Sequence, residues 1–407
     1  MKRILQFFCI LFLIQISGLT SFAFDMEGIS THGYISQGYL KSDDNNFLAS
    51  TEDGSFEFTE LGFNVSKKFE KVRVAFQLVS RDLGEFGNNE IDLDWALGEY
   101  YYKDYLGVRI GKIKMPLGLY NQGRDVDMLR VQVLLPSSIY DEGSRDIYNT
   151  VQGAEIYGAY SYPVIGELDY ELFYGSTDVN IESIFVKGNE EGVAKGVPGS
   201  TAVINSIDAK YTTGGALRWS PYLEGLRLGF SYYRAKADLD STLTSQFLPG
   251  GSATLLMNLK FKTMVSSIEY TINNLTLAAE YSHYDINSSG ILVGLAPVPD
   301  AVRKSMGWYV QANYRFNEKI AMGAYYSEFY FNRNDKDGNE QVAAGNPDYY
   351  GWQKEIVPTI RFDLSDHFII KGEVHMVDGA AQVYTYSNPT GKEKDWTLYA
   401  LKATFNF

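Results

Sequence analysis

The sequence predicts an all-β chain: a transmembrane antiparallel β-barrel of about 16 strands whose third long loop folds inward. Three observations predict it. Apolar and polar residues alternate with period two in one segment after another. Short turns and long polar loops join these segments in strict alternation. Aromatics, with 31 Tyr and 24 Phe, gather where the segments end.

The first stretch of the 407 residues does not follow this pattern. Lys2 and Arg3 form a basic start, Ile4 to Ile16 an apolar run, and Ser21-Phe22-Ala23 a cleavage-like end. Residues 1–23 are therefore expected to be a signal peptide, since the apolar run is too short to span a bilayer. Residues 24–407 are expected to form one barrel domain. The single cysteine, Cys9, falls inside the leader, so the mature chain is expected to lack disulfides, thiolate metal sites and cysteine nucleophiles. The net charge is −14 and becomes more negative once Lys2 and Arg3 are lost. Nucleic acid is not expected as a partner, because phosphate neutralisation needs clustered cations on a basic surface.

Each strand shows its facing in the sequence. Phe407, Phe405, Ala403, Leu401 and Tyr399 share one face, with Asn406, Thr404, Lys402 and Ala400 on the other. Val72, Val74, Phe76 and Leu78 oppose Arg73, Ala75 and Gln77. Leu168, Tyr170, Leu172 and Tyr174 oppose Glu167, Asp169 and Glu171. Trp308, Val310, Ala312 and Tyr314 oppose Tyr309, Gln311, Asn313 and Arg315. The apolar side is expected to meet lipid and the polar side the lumen.

Short connections fall near residues 67–71, 103–105, 163–166, 221–225, 273–274, 317–319 and 365–367. Long ones are expected near 42–55, 83–90, 116–150, 179–206, 239–255, 287–304, 332–352 and 380–393, which sets the strand count at 16. Phe69, Tyr105, Tyr160, Tyr162, Trp219, Tyr222, Tyr314, Phe316, Phe362 and Phe368 stand beside the short turns, as an interfacial girdle requires.

Parity places Arg73, Arg81, Arg109, Lys210, Arg218, Arg227, Arg315, Arg361, Lys371 and Lys402 inside. It places Asp92, Asp94, Glu155, Asp169, Glu171, Asp208, Glu269, Glu280, Asp363 and Glu373 there too. Such numbers of charges require water or cross-lumen pairing. The connection after the fifth strand carries Met128, Leu129, Val131, Val133, Leu134 and Leu135, too apolar for an exposed loop. It is expected to fold into the barrel and narrow it, with Arg124, Asp125, Asp127, Arg130, Arg145 and Asp146 lining the constriction beside Lys112, Lys114 and the wall charges.

Over Gly111 to Asp146 the chain resembles a family. Lys112, Lys114, Pro116, Gly118 and Leu119, followed by an Arg/Asp-rich loop, resemble the proteobacterial outer-membrane porins related to the phosphate-selective porins. The resemblance implies a homotrimer of 16-stranded barrels with the third loop inside. Acids match bases along the predicted lumen, which argues for a less selective pore. The expected function is passive diffusion of small hydrophilic solutes across a bacterial outer membrane, with membrane lipid and lipopolysaccharide as surroundings. The alternatives are a channel specific for anions or small organic acids, and a non-conducting structural or adhesive barrel. No enzyme, metal or cofactor is expected: His32, His283, His367 and His375 lack metal spacing and no nucleophile motif is present.

Overall fold

A computed structural model describes residues 28–84, 86–181, 183–194 and 199–407. The expected signal peptide lies outside the described residues. The strands are β1 (Ile29–Ser42), β2 (Thr59–Phe69), β3 (Val72–Leu83), β4 (Phe86–Lys103), β5 (Leu106–Lys114), β6 (Thr150–Tyr162), β7 (Gly166–Ser176) and β8 (Thr201–Ser220). They continue as β9 (Leu226–Thr244), β10 (Ser252–Ile272), β11 (Leu275–Leu292), β12 (Ala296–Arg315), β13 (Ile320–Tyr330), β14 (Trp352–Asp363), β15 (Phe368–Gly379) and β16 (Asp395–Asn406). Each pairs antiparallel with its sequence neighbours, and β1 pairs with β16 to close the barrel. Closure leaves no unpaired edge, the condition for crossing lipid with strands.

The facing follows the alternation. Leu401 is 53% exposed on the outer surface, whereas Lys402 beside it is 1% exposed on the inner one. Ile110, Ile156, Leu172, Phe230, Val310 and Met376 are exposed outside, a continuous apolar surface that only hydrocarbon satisfies. Most aromatics near the short turns stay exposed, and Tyr160 stacks with Tyr105, Tyr162 and Tyr170 around it at centroid distances of 5.8, 6.1 and 6.4 Å. They form an outer girdle, not a packed core.

Two expectations need correction. Three predicted long loops, 83–90, 239–255 and 287–304, are mostly strand: β3 and β4 nearly meet, and β9–β10 and β11–β12 continue into tight hairpins. These upper segments carry Gly with Asn, Ser or Asp, and so read as loop. On β8–β10 the inner side nevertheless packs on Val186 of the helix Ile184–Ala194, through Ile204, Leu239 and Leu259. Lys210 and Asp208 do not face the lumen. A bulge between Ala209 and Tyr211 shifts the alternation, and Asp208 pairs in register with Asp238, which lies outside between the buried Ala237 and Leu239.

The interior core is built where loops enter the barrel. One cluster gathers Ile113, Leu117, Leu135, Tyr140, Phe173 and Tyr309; another gathers Leu40, Phe58, Val133, Val383 and Trp396 near the closing seam. Both include residues of the connection after β5, so that connection is inside.

Candidate functional site

The candidate site is the inward loop, residues 115–149, with the wall around it. Pro116 stops β5 just after Lys114. The loop's two ends are tied by Asn121, whose Nδ2 donates to the carbonyls of Met115 at 2.9 Å and Tyr148 at 2.8 Å. Lys114 Nζ adds a bond to Asn149 Oδ1 at 2.9 Å. From this neck the chain crosses the lumen. Leu119 N–H donates to Glu280 on β11 at 2.9 Å, and Gln122 Nε2 to Glu171 on β7 at 2.8 Å. Gln132 reaches Asn313 on β12 at 2.7 Å. On the far side Arg361 of β14 donates to the carbonyls of Met128 and Arg130, and Glu373 of β15 accepts from the backbone of Val133 and Leu134 at 2.8 Å each.

Two glycines make the approach possible. Gly118, at φ +59°, would place a Cβ 2.4 Å from Tyr140 Oη. Gly307 on β12 would place one 2.0 Å from the Ser138 carbonyl oxygen, so a side chain there would push the short helix Ser137–Tyr140 off the wall.

Asp127 forms the tightest staple. It is 2% exposed and meets Lys402 Nζ at 2.7 Å, Lys371 Nζ at 3.6 Å, Arg130 Nη2 at 2.9 Å and Thr404 Oγ1 at 2.8 Å. Ser36 of β1 completes the ring, bonded in turn to Thr404 across the seam at 2.9 Å. Burial pushes the Asp127 carboxyl up, but Lys402, Lys371 and Arg130 outweigh it and hold it far below the usual range. At the neck, burial likewise opposes ionisation of Asp125, and Arg145 and Lys114 overcome it. Lys114 bridges Asp125 at 2.5 Å and Asp94 at 2.8 Å. Glu142 joins Arg124 at 2.7 Å to Arg81 on β3 at 2.5 Å, and its carboxyl too is held low, because these cations and Arg145 outweigh its burial.

Thus Arg81, Asp94, Lys114, Arg124, Asp125 and Arg145 converge on one neck network, while Asp127 and Arg130 converge on the seam. All are ion-paired, most of them buried. Lys112 stands apart from this network: it donates to the Leu93 carbonyl at 2.7 Å and borders the outer chamber between the loop and the wall. The side chain of Asp146 lies outside the described ones. Arg73 and Arg109 sit toward the inner mouth in a paired belt, Arg73 to Glu99 at 2.6 Å and Arg109 to Glu99 and Glu155 at 2.8 and 2.6 Å. The belt continues through Arg227–Glu269 at 2.9 Å and Arg361–Asp363 at 2.6 Å.

Space remains on both sides of the loop. An outer chamber of about 750 Å³ lies between the loop and β1–β6. It is lined by Glu60, Glu90, Asp92, Asp94, Asp125, Glu142, Asp178 and Glu190 against Arg81, Lys112, Arg145 and Lys187, eight acids to four bases. A second outer chamber of about 500 Å³ is faced by Tyr148, Tyr233, Phe261, Tyr284, Phe331 and Tyr384. A smaller space of about 180 Å³ lies under the loop at the inner mouth, beside Arg130, Arg315 and Arg361. Glu60, Glu142 and Glu190 are functional candidates that the sequence reading missed. Parity could have found Glu60, which lies opposite the inward Arg81.

No protein-family model and no curated protein sequence matches the chain. Solved structures do match in shape. Salmonella typhi OmpF, in complex with daunomycin, shares 12% identity at a TM-score of 0.56, over 93% of this chain and 97% of that one. The anion-selective porin from Comamonas acidovorans shares 11% at 0.53, over 93% and 99%. Pseudomonas putida OprB shares 12% at 0.53, over 93% and 94%. At these identities the similarity establishes the fold that this chain shares with bacterial outer-membrane porins: a closed 16-stranded antiparallel barrel.

Proposed function

We propose that this chain is a passive diffusion channel of a bacterial outer membrane, acting on small hydrophilic solutes as one barrel of a homotrimer. One observation carries the reading: an apolar outer wall encloses an ion-paired inner wall, with polar chambers on both faces of the inward loop. Such a wall contributes no chemistry; it holds water, fixed charge and a size limit across a low-dielectric slab. The trimeric OmpT of Vibrio cholerae, another barrel of the same fold, supports the assembly state.

The constriction falls to the neck network, where Asp125, Arg145, Glu142 and Arg81 border the outer chamber. Arg124, Asp127 and Arg130 act one step back, fixing the loop that forms it. The acid excess of the chamber favours cations over anions, which speaks against phosphate selectivity despite the resemblance at Lys112 and Lys114. Purified protein in a planar bilayer is expected to insert in discrete conductance steps, with a zero-current potential in a salt gradient of the sign for cation preference. Silent membranes after verified insertion would support the sealed, structural reading instead, and an anion-signed potential would restore the anion-specific one.

A further inference from the structure

The outer wall carries a feature that solute passage does not use. On β9 and β10 the lipid-facing positions run upward through Phe230 and Tyr232, and through Ile268 and Met264, all exposed. The next outward positions are Arg234 and Lys236 on β9 and Lys262 and Lys260 on β10. The register sets Arg234 opposite Lys262 and Lys236 opposite Lys260. Between them Tyr233 and Ala237 are buried inward, so the four cations share the outer face.

Two successive like-charge pairs directly across a ladder are destabilising in a sheet left to itself. Here they stand on a chain of net charge −14. None of the four makes an ion pair among the described residues; Arg234 only overlies the Tyr211 ring at 6.0 Å. The nearby carboxylates are engaged elsewhere: Asp208 and Asp238 by Lys210, Asp285 by Arg333, and Asp240 by Asn205. The tile is therefore a set of free donors aimed outward.

Its height identifies what it meets. A barrel strand tilted 35–45° climbs roughly 2.5 Å per residue, so Arg234 stands about 20 Å and Lys236 about 25 Å above the strand start at Leu226. An outer-membrane apolar band is about 25 Å tall. The tile sits at its upper rim, where acyl chains end and headgroups begin, with apolar side chains directly below.

We propose that Arg234, Lys236, Lys260 and Lys262 form a binding site for the phosphorylated sugar headgroup of an outer-leaflet glycolipid, whose acyl chains lie on Tyr232, Met264 and Phe230. The guanidinium grips a phosphate in two directions while the ammoniums act as point charges on the same or a second phosphate. The inference rests on the reading of this chain as an outer-membrane barrel.

The test titrates the purified mature barrel, in neutral detergent, with diphosphorylated lipid A and with lipid A stripped of both phosphates, reading bound lipid by native mass spectrometry. The diphosphorylated form is expected to bind at least tenfold more tightly. The variant R234Q/K236Q/K260Q/K262Q is expected to lose that preference, while K68Q/K71Q/K103Q/K319Q, neutralised on the inner turns, keeps it. Equal binding of the two lipids, or full preference in the tile variant, overturns the proposal. So does displacement by inorganic phosphate at the same affinity, which would assign the site to a free ion. A smaller assembly mass for the tile variant would assign it to a neighbouring copy. Unchanged conductance steps certify that the variant is folded; should it fail to insert, the doubles R234Q/K262Q and K236Q/K260Q carry the same prediction. A wild-type barrel that binds the lipid but never conducts separates failure of the channel reading from failure of this one.

Discussion

At the scale of single residues, Asp127 decides where the loop rests. Its carboxylate is buried among Lys402, Lys371 and Arg130; Lys402 also bridges Glu60, whereas Lys371 and Arg130 meet no other carboxylate among the described residues. Asp127→Asn keeps the volume and removes the charge, leaving Lys371 and Arg130 buried without their carboxylate partner. Breaking a buried pair by removing one partner costs about 3–5 kcal/mol. The expected result is a barrel that still inserts but whose loop has come loose, seen as larger and noisier conductance steps than wild type. Steps of unchanged size would mean that the backbone contacts of Arg361 and Glu373 hold the loop unaided.

At the scale of elements, facing and depth set tolerance. Ala312 lies on the lipid face of β12 between Val310 and Tyr314, three residues above the strand's inner end at Arg315. Ala312→Arg is expected to destabilise the barrel by about 1–2 kcal/mol, between the interfacial and the mid-membrane cost of a cation. Val74 also faces out, 51% exposed, but it pairs with Lys67 beside the inner turn, so Val74→Arg is expected to cost about 0–1 kcal/mol. Thr276 faces the inner mouth, and Thr276→Arg is expected to be mild. Denaturant titration of refolding into vesicles checks all three, and equal costs at 312 and 276 would reverse the assigned facing.

This is also the scale at which the sequence was most legible. Lipid enforces strict alternation, so Leu401 against Lys402 could be read directly. Above the membrane nothing enforces it, and the upper parts of β8–β12 pass for loops until the ladder pairing is known, and for β8–β10 the contact with Val186. The bulge at Lys210 left no mark in the composition. The site was legible in its residue types but not in its pairing: Asp127 and Lys402 are far apart in the chain, and only closure of the barrel brings them together.

At the scale of the whole molecule the outer rim is uneven. Strands β8–β12 run 18 to 21 residues, whereas β13–β16 run 11 or 12. The tall side ends in tight hairpins at 245–251 and 293–295, and the low side carries the longer connections 331–351 and 380–394. A protease needs several residues of extended, unpaired chain, which ladder-bonded hairpins do not offer. Proteinase K applied outside sealed vesicles is expected to cut within 331–351 or 380–394 and to spare both hairpin tips. Early cleavage at 293–295 would mean that the tall wall is not a formed sheet.

Asp127 takes its partners from β1, β15 and β16, the first strand and the last two, which become neighbours only when the two ends of the chain zip together. Until then the loop lacks its fastening at the seam and holds only to β7, β11, β12 and β14. Closing the cylinder therefore also locks its gate, and a chain stalled one strand short would be an open breach in the cell envelope, not a slow filter.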